Sequence, residues 1–299
     1  MNIKNEIPEI KEITEFIQYL QAERNYSKLT AKSYKTDMYL FVDFLNSNYN
    51  GIDVKNCSRN IIRAYLAYLY NEKMQKSSII RKFATLRSFY KFLVMNSYIE
   101  INPISAMSTP KAEKKIPEFL TEQEIIKLFD MPDMSLRDKA MIELLYSSGI
   151  RIEEMVSLSL KDVDLLYGTV KVFGKGASER IAPIGDKCCI AIKKYLDTRK
   201  ISNGFIAPLF LNKDNKRITS RGARKVLHNW FVKAGFFKKV SPHTIRHSFA
   251  THLLDRGCDI KSVQQMLGHK NLATTQIYTH VTLESLRKVY DKTHPRVQK

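Results

Sequence analysis

The chain contains few cysteines, and their arrangement disfavours a disulfide framework or a zinc site. Four cysteines occur among 299 residues, and none of them stands in a CxxC spacing. Two of them are adjacent, which is a poor arrangement for ligating one metal ion together. We therefore interpret all four as reduced, structural thiols, at Cys57, Cys188, Cys189 and Cys258.

Long apolar runs are also missing. The chain has no run of 18 or more apolar residues, and its first residues lack the apolar core of a secretory signal. These absences predict a cytoplasmic protein with no membrane partner. Internal repeats and low-complexity tracts are absent too. Because 44% of the residues are hydrophobic, the chain can bury a sizeable core in each of about two globular domains.

Acidic residues are too few to balance the basic ones. The chain has 49 Lys and Arg against 30 Asp and Glu, a formal net charge of +19, and the basic residues are spread through both halves. This distribution favours a broad surface for a polyanion such as DNA or RNA, with salt-sensitive binding. The alternative is a protein that is merely rich in lysine, and charge alone does not separate the two.

Residues 8–103 read as an N-terminal helical domain. Apolar residues recur at helical spacing through Phe16 and Leu20 and again through Phe41 and Leu45, so each segment has a stripe to bury. Ser58 and Ser77 each fit the N-cap of a further helix. A domain of four or five helices is expected.

One helix of this domain carries a basic face that suits a DNA backbone. Its other face is apolar, and the alternative for each basic residue is an ordinary solvated position. The DNA-binding candidates are Arg81, Lys82, Arg87 and Lys91.

Residues 104–117 are predicted to be an interdomain linker, and residues 118–299 a second domain. Pro103 disfavours helix in the residue before it, and the following segment is rich in Ser, Pro and Lys. The second domain opens with a capping box from Thr121 to Glu124 and continues with a helix that stops at Gly149. Two strand-like runs, at 169–173 and 179–184, then flank a glycine-containing turn, which predicts a β-hairpin before helices resume. The predicted fold class is therefore mainly α with a small antiparallel sheet.

Near the C-terminus, residue types that suit a phosphodiester gather in a short stretch. Ser241 and Pro242 fit the start of a helix, which would put His243 and Arg246 on one face of its opening turn, where backbone N–H groups attract an anion. Arg246 can bind two phosphate oxygens with its planar fork, and His243 can exchange a proton. Taken singly, a surface salt bridge and a buried core histidine are the ordinary alternatives.

Further groups complete a candidate phosphoryl-transfer site. Arg151 follows the helix end at Gly149, and Glu154 can hold its guanidinium within the same turn. Lys175 lies at the predicted hairpin tip, His269 follows a helix closed by Gly268, and a capped helix over 271–278 would carry Tyr278 back to that point. A tyrosine attacks phosphorus only if neighbouring cations or a base favour its phenolate. Fifteen tyrosines occur in the chain, so chemistry alone selects Tyr278 weakly.

At these residues the chain resembles the tyrosine recombinases of the phage-integrase type, and within them the Xer chromosome-dimer resolvases. The resemblance covers nearly the whole chain. It rests on several spaced motifs in the expected order, namely SGIRIEEM at 148–155, the GKG hairpin at 174–176, HTIRHSFATHLL at 243–254, LGH at 267–269, IYTH at 277–280 and a tail containing HPR at 294–296.

The resemblance implies a helical core-binding (SAM-like) domain, a catalytic domain and a set of site residues. Tyr278 would attack one DNA strand to form a 3'-phosphotyrosyl link, and neither ATP nor a metal or other cofactor would be required. The implied catalytic residues are Arg151, Lys175, His243, Arg246, His269 and the nucleophile Tyr278.

The resemblance also implies partners. These are double-stranded DNA with inverted half-sites, a homo- or heterotetramer on synapsed DNA, and a cell-division DNA translocase. The tetramer would form through the C-terminal tail, where Leu283, Leu286 and Val289 mark one apolar face. Packing of that face within its own chain is the alternative.

Four other functions are alternatives to this one. They are an integrase of a transposon, integron or phage, a type IB topoisomerase, a DNA-binding protein without catalysis, and a zinc enzyme that uses His243, His247, His252 and Cys258. The zinc reading lacks an HExxH motif or a carboxylate cluster.

Overall fold

The computed structural model describes residues 10–24, 26–110, 118–174, 179–199, 204–236, 240–268 and 280–297. Over these residues the fold is mainly α-helical with one small antiparallel sheet, so the predicted fold class is confirmed. The chain divides into two compact units, Met1–Lys115 and Ile116–Lys299. Among the helices described, none is long and apolar enough to span a membrane.

The N-terminal unit is built from helices whose apolar stripes meet in one core. Phe16 and Phe41 are fully buried, and Phe16 packs edge-on against Phe89 with ring centroids 5.3 Å apart. The described elements are α1 (Lys11–Ala22), α2 (Lys28–Asn48), a 3-10 helix (Val54–Asn56), α3 (Arg59–Asn71) and α4 (Lys76–Met95).

Of the two serine caps predicted in this unit, one is confirmed and one is wrong. The Ser58 hydroxyl accepts a hydrogen bond from the Ile61 amide at 3.4 Å and caps α3. Helix α4 instead begins at Lys76, because the chain is already extended at Gln75 (φ −61°, ψ 135°). Ser77 therefore lies within the first turn of α4.

Part of the segment predicted to be a linker packs on the N-terminal unit. Ile104 is fully buried in that unit's core. Arg87 of α4 donates hydrogen bonds to the Met107 carbonyl at 2.6 Å and to the Thr109 hydroxyl at 2.8 Å. The domain limits 8–103, 104–117 and 118–299 stay predictions, with residues 104–109 held against α4.

The C-terminal unit surrounds one buried helix. The described elements are α5 (Glu122–Phe129), α6 (Leu136–Ser148), α7 (Ile152–Ser157), β1 (Val163–Asp164), β2 (Thr169–Phe173), β3 (Glu179–Pro183), α8 (Asp186–Asp197), α9 (Ser220–Lys233), α10 (Pro242–Asp255), α11 (Ile260–Leu267) and α12 (His280–Thr293), with 3-10 helices at Leu160–Asp162 and Gly204–Ile206. Helix α6 is buried along most of its length and contacts α8 and α10.

The sheet has the order β1-β2-β3, and both strand pairs are antiparallel. The predicted hairpin of β2 and β3 is confirmed, with Phe173 paired to Glu179. Strand β1 was not predicted, because two residues are too few to show a strand periodicity.

The end of α6 sets the position of the candidate site. Gly149 caps α6 with φ of 60°, a backbone conformation that favours glycine. A Cβ at this position would lie 2.4 Å from Cδ1 of Phe249 in α10. The chain therefore turns sharply into α7 while α6 and α10 stay in close contact, as the sequence predicted for a helix ending at Gly149.

Candidate active site

Arg151 stands at the N-cap of α7, where its own backbone and side chain bind one carboxylate. The Arg151 amide donates to Oε2 of Glu154 at 2.8 Å, and Nη1 of Arg151 donates to Oε1 at 2.9 Å. The contact predicted from the three-residue spacing is therefore present. The Arg151 side chain remains 40% exposed, so its guanidinium is accessible to an anion.

Glu154 is buried and is held from a second side by Arg180 of β3. Nη1 of Arg180 donates to Oε1 of Glu154 at 3.0 Å, and Nη2 donates to Oε2 at 2.7 Å. Burial favours a raised pKa for Glu154, but the Arg180 hydrogen bonds and charge, followed by the Arg151 bonds, outweigh it and lower the pKa. Glu154 is thus an anion between two guanidinium groups.

Arg246 approaches the same turn from α10. Ser241 caps this helix by accepting from the Thr244 amide at 3.3 Å, and Pro242 begins it, as predicted. Nη1 of Arg246 donates to the Gly149 carbonyl at 2.6 Å, and Nη2 donates to the Leu267 carbonyl at 2.7 Å. Burial and the neighbouring Arg151 charge lower the pKa of Arg246 to about 10, so the group remains a cation at neutral pH.

His243 and Arg246 differ in burial, although they lie three residues apart on α10. His243 is exposed at the opening turn. Arg246 is 8% exposed and points at backbone carbonyls instead of at the helix N-terminus. The expectation that both point toward the amide groups of the opening turn is wrong for Arg246, because the carbonyls of Gly149 and Leu267 attract its guanidinium inward.

The C-terminal end of α11 receives two guanidinium groups. Nε of Arg180 donates to the Met266 carbonyl at 3.2 Å, next to the Leu267 carbonyl that binds Arg246. Such carbonyls lack partners within the helix and carry partial negative charge, so cations stabilise them. Gly268 caps the helix with φ of 68°, which confirms the predicted helix end.

Three predicted site residues, Lys175, His269 and Tyr278, lie outside the described residues, as does the predicted helix over 271–278. Each lies close in the sequence to a described element. Lys175 belongs to the segment that joins β2 to β3, His269 follows the Gly268 cap, and Tyr278 comes two residues before the start of α12.

Protein-family models match both units of the chain. Residues 13–96 match the model described as "Phage integrase, N-terminal SAM-like domain", and residues 118–285 match "Phage integrase family". The chain belongs to the phage integrase family.

Proteins that are similar to this chain in sequence are named as recombinases. "Tyrosine recombinase XerC" of Oceanobacillus iheyensis is 42% identical, with 95% of this chain and 96% of the relative covered. "Tyrosine recombinase XerD" of Staphylococcus epidermidis is 38% identical, with 95% and 98% covered. The prediction that the chain is a tyrosine recombinase is confirmed.

The fold has solved counterparts as well. A XerH site-specific recombinase bound to a palindromic difH substrate, in a post-cleavage complex, superposes with a TM-score of 0.71 at 24% identity, over 92% of this chain and 83% of that one. This similarity supports the family's fold.

The basic face predicted on α4 is only partly present in the structure. Lys82 is 3% exposed, and its Nζ donates to Oδ1 of the buried Asp37 at 2.9 Å, so its expected exposed position is wrong. Arg81 binds the other oxygen of Asp37 from a partly exposed position. Arg87 binds Met107 and Thr109, and Lys91 is exposed.

The zinc alternative is not supported by the placement of His252. Its Nδ1 lies 2.8 Å from the Tyr146 hydroxyl inside the C-terminal unit, and burial lowers its pKa. Over the described ranges, no group of three His, Cys, Asp or Glu side chains is placed to hold a metal ion.

Arg180 is a site residue that the sequence reasoning missed. It lies at a buried position of β3, between the exposed Glu179 and the half-buried Ile181. A charged residue at an inward position of a short strand requires a buried partner, and that signal was available from the hairpin pattern. The identity of the partner, Glu154, depends on the packing of α7 against β2 and β3.

Proposed function

We propose that this chain is a site-specific DNA recombinase of the Xer type that cuts and rejoins DNA through Tyr278. The observation that carries the proposal is the convergence of two arginines on one turn. Arg246 binds the carbonyl of Gly149, 97 residues away in the chain and two residues before Arg151. Two guanidinium groups placed in this way can stabilise the charge on a phosphorus centre during displacement.

The proposed reaction is a transesterification in two steps. The Tyr278 oxygen attacks the phosphorus and loses its proton, the bond from phosphorus to the 5'-oxygen breaks, and that oxygen leaves as a 5'-hydroxyl. A 5'-hydroxyl from the partner strand then attacks the 3'-phosphotyrosyl link and releases the tyrosine. One phosphate ester bond forms for each one that breaks, so the chemistry consumes no nucleotide.

Each remaining residue has a proposed role suited to its position. Arg151 and Arg246 bind the non-bridging oxygens, and Glu154 holds Arg151. Lys175 protonates the leaving oxygen as general acid. His243, exposed at the start of α10, assists proton movement, and His269 donates a hydrogen bond to a non-bridging oxygen.

The proposed partners follow from the family resemblance. They are duplex DNA with inverted half-sites in the cytoplasm, a homo- or heterotetramer joined through the C-terminal tail, and a cell-division DNA translocase. The relatives named XerC and XerD support the Xer assignment and its role in resolving chromosome dimers. In the present structure Leu286 and Val289 of α12 pack on their own chain, beside Phe249 and Leu253, so a tail-linked ring requires exchange of this segment.

The test is covalent trapping on a nicked duplex whose short 5'-hydroxyl fragment diffuses away after cleavage. We expect the native chain to form a covalent complex, and Tyr278→Phe to form none while binding the same DNA. Tyr167→Phe is the matched control, because Tyr167 is 74% exposed and lies on a turn of the sheet. Equal trapping by both variants would show that Tyr278 is not the nucleophile.

A further inference from the structure

We propose that Arg180 is a positioning residue for strand cleavage, which holds Arg151 in place through the carboxylate of Glu154 and fixes it relative to the end of α11. The inference deepens the proposed function and rests on it. Each of the three guanidinium nitrogens of Arg180 already donates a hydrogen bond, to Glu154 or to the Met266 carbonyl, so Arg180 acts through other residues and not on the phosphate itself.

The first link runs from Arg180 to Arg151. Oε1 of Glu154 accepts from Nη1 of Arg180 at 3.0 Å and from Nη1 of Arg151 at 2.9 Å. Oε2 accepts from Nη2 of Arg180 at 2.7 Å and from the Arg151 amide at 2.8 Å. The bidentate pair fixes the plane of the carboxylate, and this plane determines where the Arg151 guanidinium can lie.

The second link runs from Arg180 to the segment that precedes His269. Nε of Arg180 binds the Met266 carbonyl, and a Cβ on Gly268 would lie 2.9 Å from Cδ of Arg180. Because Gly268 has no side chain, the Arg180 side chain can lie directly against the end of α11. Arg246 binds the adjacent Leu267 carbonyl, so the same helix end also locates the second proposed catalytic arginine.

The third link is the strand itself. Arg180 pairs with Val172 of β2, one step from the Phe173–Glu179 pair that opens into the segment containing Lys175. The strand pairing and the Met266 bond thus hold Arg180 itself in place, so its bidentate pair can keep Glu154, and through it Arg151, in one position. Lysine cannot reproduce this arrangement, because a single ammonium lacks the planar fork that binds two carboxylate oxygens and a carbonyl together.

The experiment measures the single-turnover rate of covalent complex formation on the nicked duplex, with DNA affinity measured separately. We expect Arg180→Gln to slow cleavage about 100-fold with little change in affinity, since small misplacement of a catalytic group has effects of that order. Arg180→Lys should recover only part of the rate. The matched control is Arg224→Gln, because Arg224 pairs with the exposed Glu153 next to Glu154, and we expect it to cleave at the native rate.

A double-mutant cycle separates positioning from general damage. If Arg180 acts by placing Arg151, then Arg180→Gln should slow an Arg151→Ala enzyme less than about threefold, because the group that it positions is already gone. A merely structural role would slow both backgrounds by the same factor. Glu154→Gln combined with Arg180→Gln removes both buried charges together, which provides a second folded variant. This double variant should also cleave about 100-fold more slowly than the native chain.

Two outcomes overturn the inference alone: native cleavage by Arg180→Gln, or an equal loss in the Arg151→Ala background. Circular dichroism at the assay temperature establishes that each variant compared is folded. If the native chain forms no covalent complex, the proposed function fails and the inference fails with it, so the two failures are distinguishable.

Discussion

The two arginines of the candidate active site differ in what holds them. Arg151 is 40% exposed and bonded to a carboxylate, whereas Arg246 is 8% exposed and bonded to two backbone carbonyls. A guanidinium has more N–H donors than either set of bonds uses, so both can still bind phosphate oxygens. Arg246 is the fixed member of the pair, because backbone carbonyls hold it. The position of Arg151 depends instead on Glu154 and on the Arg180 that binds Glu154.

Two lysines of α4 that look alike in the sequence should respond oppositely to substitution. Lys91→Ala removes an exposed charge, and we expect it to reduce the salt dependence of DNA binding by about one unit of slope with little loss of stability. Lys82→Met leaves the buried Asp37 with one fewer partner and should lower the free energy of unfolding by about 3 kcal/mol. Binding titrations at several salt concentrations, with urea unfolding of both variants, check the pair. A reduced salt slope for Lys82→Met, with an unchanged slope for Lys91→Ala, would contradict these two predictions.

For individual residues, the sequence predicts contacts between neighbours along the chain and misses contacts between residues that are far apart in the chain. The bond from Arg151 to Glu154 follows from three-residue spacing at a helix start. The burial of Lys82 depends on Asp37 of α2, and that of Arg180 depends on Glu154 of α7. Helical spacing does not show which acid meets which base across a core.

Among the structural elements, the turn from α6 to α7 has the least room for change. Gly149→Ala would require a left-handed backbone for alanine and would place a Cβ 2.4 Å from Phe249. We expect it to lower the free energy of unfolding by about 3 kcal/mol, from strain and overpacking together. It should also slow cleavage by shifting Arg151.

The matched control for this turn is Gly204→Ala. Gly204 has a similar φ of 56°, but a Cβ there would meet nothing within 4 Å. Only the backbone penalty applies, which is about 1 kcal/mol. Urea unfolding of both variants measures the difference, and equal losses would show that contact with Phe249 does not matter.

His294, which follows α12, should make stability depend on pH. Burial lowers the pKa of His294 to about 3, with a smaller contribution from the Arg296 charge. Its Nδ1 accepts from the Arg296 amide at 3.1 Å, so a second proton on the ring would oppose this bond. The unfolded chain binds a proton below about pH 6.5 and the folded chain does not, so stability falls as the pH drops below that value.

The expected loss from His294 is about 2 kcal/mol between pH 7 and pH 5. His294→Asn keeps an acceptor near the Arg296 amide and should lose about that much less than the native chain over the same range. His228→Asn, at an exposed position of α9, is the control and should follow the native curve. Urea unfolding at pH 5 and pH 7 gives the comparison, and parallel curves for native chain and His294→Asn would contradict the assignment.

The sequence predicts most elements and misses features that lack a local pattern. The capping box at Thr121, the helix end at Gly149 and the hairpin of β2 and β3 are all confirmed. The predicted start of α4 is wrong. Ser77 gives a strong cap signal, but the helix begins earlier, at Lys76. Strand β1 exists only through its pairing with β2, which no run of two residues can show.

For the whole molecule, spaced motifs carried more information than composition did. A net charge of +19 fits a DNA-binding protein and also fits a protein merely rich in lysine. The ordered motifs at 148–155, 243–254 and 267–269 led to the family that the models then matched over both units. The tail was harder to predict, because one apolar face suits either a neighbouring subunit or the chain's own core, and here Leu286 packs in the core.

The proposed reaction joins Tyr278 covalently to DNA. This link is measured most directly by mass spectrometry of the peptide that carries the nucleotide adduct, after proteolysis of the complex trapped on the nicked duplex. We predict the adduct on the peptide that contains Tyr278, as a 3'-phosphotyrosyl ester. An adduct on any other of the fifteen tyrosines, or on a different residue type, would show that Tyr278 is not the nucleophile.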